Sequence, residues 1–91
     1  MPEINWTKKA SKQIAKIADN DSNAIEDAVE ELAKWPNIPH LKVEKLTDDK
    51  EKRSKLVVGN YRVIWKVEKG KMVVISILEV LRRTTTTYKK R

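Results

Sequence analysis

The stretch RSKLVVGNYRVIWKVEKGKMVVISILEV, residues 53–80, decides the fold. Two runs rich in β-branched and aromatic residues, RSKLVV and YRVIWKV, flank Gly59-Asn60. A two-residue Gly/Asn connection between such runs is a strong hairpin signal. EKGK, residues 68–71, is predicted as a second turn. MVVISILEV, residues 72–80, is apolar at both alternate sets of positions and reads as a central strand buried on both faces.

A two-residue turn fixes the register. Val58 then lies opposite Tyr61, and pairing runs back through Val57–Arg62, Leu56–Val63, Lys55–Ile64, Ser54–Trp65 and Arg53–Lys66. Paired residues share a face, and faces alternate with period two. Leu56, Val58, Tyr61, Val63, Trp65 and Val67 therefore form a core face with Ser54. Arg53, Lys55, Arg62 and Lys66 lie on the other face with Val57 and Ile64. The hairpin thus presents four cations and no acid. One reading is Lys and Arg stems covering Val57 and Ile64 with their heads in water. The sharper reading is a phosphate-binding face, with Arg supplying planar forks and Lys a compact charge.

Upstream of the hairpin the periodicity is helical. PEINW, residues 2–6, reads as an opening strand. Thr7 or Ser11 caps a helix running to about Ala18, with Ala10, Ile14, Ile17 and Ala18 on one face. NDSN, residues 20–23, is predicted as a turn. A second helix is predicted from about Ala24 to Lys34, with Ile25, Ala28, Val29, Leu32 and Ala33 as its apolar stripe. Pro36 and Pro39 end it. LKVEKL, residues 41–46, reads as a brief extended segment, and residues 47–52 as a charged loop.

The expectation is a small single α+β domain over residues 1–91, order β-α-α-β-β-β. Two N-terminal helices should pack on one face of a mainly antiparallel sheet, with residues 82–91 as a basic C-terminal arm. Periodicity does not place the first strand in the sheet. Trp6, Trp35 and Trp65 are expected in the core or at its rim.

Charge is unevenly distributed. Residues 1–51 hold 8 Lys/Arg and 11 Asp/Glu, whereas residues 52–91 hold 12 Lys/Arg and only Glu68 and Glu79. A cationic half of a domain attracts a polyanion, most simply nucleic acid. The chain has no cysteine and one histidine, His40, which excludes disulfides, thiolate metal sites and a histidine-cluster site. No cofactor or metal is expected. There is no leader-like apolar segment and no run of membrane-spanning length, so a cytoplasmic protein is expected.

VVGNYRVIWKVEKGKMVVISI resembles the core segment of the RelE/ParE toxin superfamily, in which a GxYRV hairpin leads into a long apolar strand. INWTKKASKQIAKI is similar to that family's opening strand and first helix, and WPNIPHLKVEKL to its helix-exit loop. The resemblance covers nearly the whole chain. It implies the toxin of a type II toxin–antitoxin system, with a cognate antitoxin as partner. RelE-type members cut mRNA in the ribosomal A site, whereas ParE-type members inhibit DNA gyrase.

The RelE-type site has two basic residues spaced i, i+2 before the hairpin, the arginine of GxYR, a late basic residue, and a tyrosine six positions further on. Arg53 and Lys55, Arg62, Arg82 and Tyr88 fit these positions. The resemblance therefore implies a metal-independent endoribonuclease acting on mRNA at the ribosome. Thr84 stands where many members are basic, and Arg83 is the alternative to Arg82. Lys66, Arg83, Lys89, Lys90 and Arg91 are the expected RNA- or ribosome-binding residues. Residues 84–87, all threonine, read as a polar linker.

RNA supplies its own nucleophile, the 2′-OH. The protein must align it, take its proton and stabilise the charged phosphorane. Lys55 is the candidate base and Tyr88 the alternative, while Arg53, Arg62 and Arg82 are charge stabilisers. Two other readings stay open: a gyrase-directed toxin, and a non-cleaving RNA- or ribosome-binding module.

Overall fold

The computed structural model describes residues 2–46 and 49–83. The elements are β1 (Glu3–Trp6), α1 (Lys8–Ala15), α2 (Asp19–Glu31) with a 3-10 turn (Leu32–Lys34), β2 (Val43–Lys45), β3 (Ser54–Val58), β4 (Tyr61–Lys69) and β5 (Val73–Arg82). One sheet runs β1-β5-β4-β3-β2, antiparallel except for β1, which lies parallel to β5. LKVEKL contributes the extra strand, β2, so the order is β-α-α-β-β-β-β.

The hairpin register is the expected one, from Ser54↔Trp65 to Val58↔Tyr61. Gly59 takes φ +55°, while Asn60 stays outside the left-handed region. Glycine at the first central position is the type II′ pattern, whose twist matches that of the flanking strands. The second turn begins later than predicted, because Glu68 and Lys69 remain in β4, paired with Val74 and Val73.

Two helical boundaries also differ. NDSN is not a turn but part of the first turns of α2, and the reversal falls at residues 16–18. Residues that favour caps are also accepted in a helix's first turn. There Asp19 and Asp21 face the positive end of the helix dipole. The first helix stops at Ala15, where the backbone N–H of Lys16 turns back to Gln13 O and that of Ile17 to Ile14 O.

The core lies between the helices and one sheet face. Ala10 of α1 and Ile25, Val29 and Leu32 of the second helical segment pack on Leu56, Val63, Trp65, Ile75, Ile77 and Val80. Each large side chain fully removed from water contributes roughly 1.5–3 kcal/mol. Trp65 is fully in this core, and Trp6 and Trp35 pack at its rim, as expected.

Beyond Trp6↔Ile77, β5 runs past the end of β1. Side chains cover its edge there. Thr7 Oγ1 donates to Ile77 O at 2.7 Å, and Gln13 Oε1 accepts the Val80 N–H at 2.7 Å. These contacts tie α1 to a strand edge that is otherwise open to pairing.

One irregularity positions the site. Ile64 pairs with Glu79 and Trp65 with Ile77, which leaves Leu78 as an extra residue, a β-bulge. Before the bulge the odd-numbered Ile75 and Ile77 face the helices. After it the even-numbered Val80 does.

Candidate nucleic-acid interface

On the sheet face away from the helices, the register sets Lys55 opposite Ile64, Arg62 opposite Val57 and Leu81, and Glu44 opposite Lys55. Lys55 and Arg62 are diagonal neighbours across β3 and β4. The Arg62 Nη1 donates to Tyr61 O at 2.9 Å and Gly59 O at 3.2 Å, which lays its guanidinium over the hairpin turn.

The bulge decides the late arginine. Unbroken alternation from Ile77 would put Arg82 on the Lys55/Arg62 face. With Leu78 inserted, Arg82 instead pairs with Tyr61 on the helix face. There it lines a cleft with Gln13, Lys16, Asp21 and Tyr61. The expected grouping of Arg82 with Lys55 and Arg62 is therefore corrected. Arg83 takes the position, because its backbone N–H reaches Asn60 O at 2.6 Å and continues the pairing by one residue. Alternation makes Arg83 the diagonal neighbour of Arg62, with the 41% exposed Leu81 between them.

The expectation of a cationic face without acids also needs correction. Glu68, which stays in β4, shares that face with Arg62 and Lys66, Glu79 of β5 lies opposite Ile64 on it, and neighbouring elements supply further acids. Glu44 of β2 places Oε1 3.2 Å from Lys55 Nζ. Lys66 Nζ lies 3.4 Å from Glu68 and 3.7 Å from Glu51. Arg53 is the most engaged of the four. Its Nη2 donates to Asp49 Oδ1 at 2.7 Å, its Nε to Oδ2 at 3.0 Å, and its backbone N–H to Oδ2 at 2.7 Å. This closes a loop in which Lys52 holds φ +56°.

The Arg53 hydrogen bonds hold the Asp49 carboxyl down at about 2, and the same pairing raises Arg53. Among the described residues, no carboxylate forms an ion pair with Arg62 or Arg83. The face thus divides into a compensated loop end, with Arg53 and Lys66, and an open turn end, with Arg62 and Arg83. Lys55 sits between them.

His40 lies elsewhere. Its Nε2 is 2.8 Å from Glu31 Oε1, which also accepts from Lys34 at 3.0 Å. These two bonds, Lys34 first, lower the Glu31 carboxyl. Tyr88, Lys89, Lys90 and Arg91 lie outside the described residues, as does the threonine run. Glu44 was missed as a site residue. Its signal was the alternation of LKVEKL, which puts Val43 and Glu44 on opposite faces. Among the described residues, no helix is long and apolar enough to cross a membrane.

The profile of the family described as "ParE toxin of type II toxin-antitoxin system, parDE" matches residues 4–86. No curated protein is significantly similar in sequence. Among solved structures, the chain is similar to the archaeal RelE–RelB complex from Pyrococcus horikoshii OT3. That match has a TM-score of 0.73 and 22% identity, covering 92% of this chain and 97% of that one. It is also similar to the RelBE2 toxin–antitoxin complex of Mycobacterium tuberculosis, with a TM-score of 0.73, 19% identity, and coverage of 91% and 100%. The isolated E. coli RelE toxin matches with a TM-score of 0.71, 19% identity, and coverage of 92% and 86%. At these identities the structural matches establish the fold, a RelE fold, and the profile match establishes the family. A GNYRV hairpin, a bulged final strand and two helices on one sheet face are how this sequence builds that fold, and the chain belongs to the ParE toxin family of type II toxin–antitoxin systems, within the RelE/ParE superfamily.

Proposed function

We propose that this toxin is a ribosome-dependent endoribonuclease that cleaves mRNA through attack of the 2′-OH on the adjacent phosphorus. The observation that carries the reading is the diagonal of Lys55, Arg62 and Arg83 across three strands on the helix-free face. Arg62 and Arg83 stabilise the charge that develops on the phosphorane, as paired guanidinium donors do for phosphoryl oxygens. Lys55 holds a phosphate oxygen. An ammonium facing a carboxylate donates hydrogen bonds and has no lone pair to accept a proton. The base role therefore passes from Lys55 to Tyr88. Arg53 is a structural clamp on the loop, and Lys66 contributes weakly because Glu51 and Glu68 face it. With so few acid/base groups, the ribosome supplies the alignment of the RNA strand. The partner in the cell is a cognate antitoxin, a reading supported by the RelB-bound forms of two similar toxins.

The second reading, a gyrase-directed toxin, is favoured by one observation, the carboxylates set against three of the four hairpin cations. A translating extract separates the two. Cleavage in the A site is expected, and Arg62→Ala or Arg83→Ala should slow it roughly 100-fold, the scale for losing one charge-stabilising donor. Inhibited supercoiling with intact mRNA would establish the gyrase reading instead. Loss of cleavage in Arg82→Ala with full activity in Arg83→Ala would reverse the face assignment.

A further inference from the structure

Among the described residues, Glu44 is the one acid that forms an ion pair with a cation of the proposed phosphate diagonal. It is built onto an edge strand of three residues, register-paired with Lys55, and its carboxylate lies within 3.2 Å of the ammonium. Both side chains are reachable from solvent, 52% for Glu44 and 31% for Lys55. A carboxylate at that distance makes the contact a phosphate oxygen makes, a charge-assisted bond to an ammonium. Lys55 is separated from the open Arg62 by only a diagonal step. An RNA strand laid along Arg83 and Arg62 meets Lys55 next, and meets it already engaged.

We propose that Glu44 is a built-in competitor for RNA phosphate at Lys55, an internal stand-in that limits the affinity of the toxin for its substrate. The proposal rests on the nuclease reading for the identity of the polyanion. The carboxylate does two things. It occupies the donor that the phosphate needs, and it adds a negative charge beside the phosphate path. A phosphate contact at Lys55 must therefore displace Glu44. In its absence, Lys55 joins the cations that exchange their counterions for RNA. The other carboxylates described on this face do not act in the same way: Glu79, opposite Ile64 on β5, pairs with Lys9 at 3.2 Å. Glu51 and Glu68 address Lys66, and Asp49 is locked to Arg53, all at the loop end.

The test measures binding of the full chain to a fluorescein-labelled single-stranded oligonucleotide with 2′-deoxy sugars, which cannot be cleaved, over a series of NaCl concentrations. Glu44→Gln should tighten binding about 3- to 10-fold at low salt. It should also steepen the slope of log K against log salt by roughly 0.7, the increment for one added phosphate contact on a single strand. Glu26→Gln, on α2, removes the same charge at a distant site and should change neither. Lys55→Ala in the Glu44→Gln background should cancel both gains. An unchanged slope in Glu44→Gln overturns the proposal. So does an equal gain in Glu26→Gln, which would mark a net-charge effect, and so does a gain that persists without Lys55. If no variant binds the oligonucleotide, the proposal fails as well. Failure of the nuclease reading looks different: wild-type protein leaves mRNA intact in a translating extract while the Glu44→Gln binding gain remains.

Discussion

Gln13 Oε1 accepts the backbone N–H of Val80 at 2.7 Å, a side chain completing a strand edge 67 residues away in sequence. Replacing Gln13 with Leu leaves a part-buried N–H without its acceptor, which costs about 1–3 kcal/mol. Gln13→Glu keeps an acceptor oxygen and should lose much less. Urea unfolding of the two variants checks this, and equal losses would mean that the bond contributes nothing beyond packing.

The Thr7 hydroxyl accepts one hydrogen bond and donates another, shared between Ile77 O and, at 3.3 Å, Leu78 O, and only serine preserves both roles. Its Oγ1 caps α1 by accepting the Ala10 N–H at 3.3 Å and donates to Ile77 O at 2.7 Å. Thr7→Val keeps the shape and removes both, and is expected to cost about 1–2 kcal/mol. Thr7→Ser should retain most of the stability. A Val variant as stable as wild type would show that neither bond matters.

Gly59 tests the turn that fixes the register. A Cβ at this position would meet no atom within 4 Å, so the only penalty for alanine is the left-handed backbone at φ +55°. Gly59→Ala should destabilise by about 1–2 kcal/mol, and Gly59→Asn by less, because asparagine tolerates this region better. The order of the two denaturation midpoints is the measurement.

The Asp49–Arg53 clamp gives a pH dependence with a definite sign. The folded carboxyl titrates at about 2, below its ordinary 3.8. Stabilisation from a depressed carboxyl is fully present above the unfolded value and is lost as pH falls through the folded one. Loop closure should therefore be complete at pH 5, begin to weaken below about 3.8, and be lost near 2. An NMR titration of the Asp49 side-chain carboxyl carbon follows this directly. A midpoint near 3.8 would mean that the clamp is open in solution.

The β3–β4 register was legible in the sequence because a two-residue glycine turn admits one pairing, and a slip by one residue would turn Leu56 and Val63 out of the core. The identity of the late arginine was harder to read, because it depends on a bulge. The bulge inserts one residue, Leu78, between Ile77 and Glu79; its trace in the sequence is the three-residue spacing of Ser76 and Glu79, which a reading of the whole run as apolar on both faces passes over. Composition likewise hid the compensation of the cationic face. Glu44, Asp49 and Glu51 are counted with the acidic half of the sequence, yet β2 and the following loop bring them against the basic half. NDSN was misread because residues that cap helices also populate their first turns.

The parallel pairing of β1 with β5 sets an order of events during synthesis. Glu3 through Trp6 wait for Val74 through Ile77, about seventy residues later, before they have a partner. The antiparallel β3–β4–β5 meander needs only short loops, whereas β1 closes the longest loop in the domain and carries the largest closure entropy. A nascent chain therefore holds its first strand unpaired, and with it one side of the core, until the last strand has been made. β1 thus precedes the other four strands in the chain, yet its pairing carries the largest closure cost in the sheet.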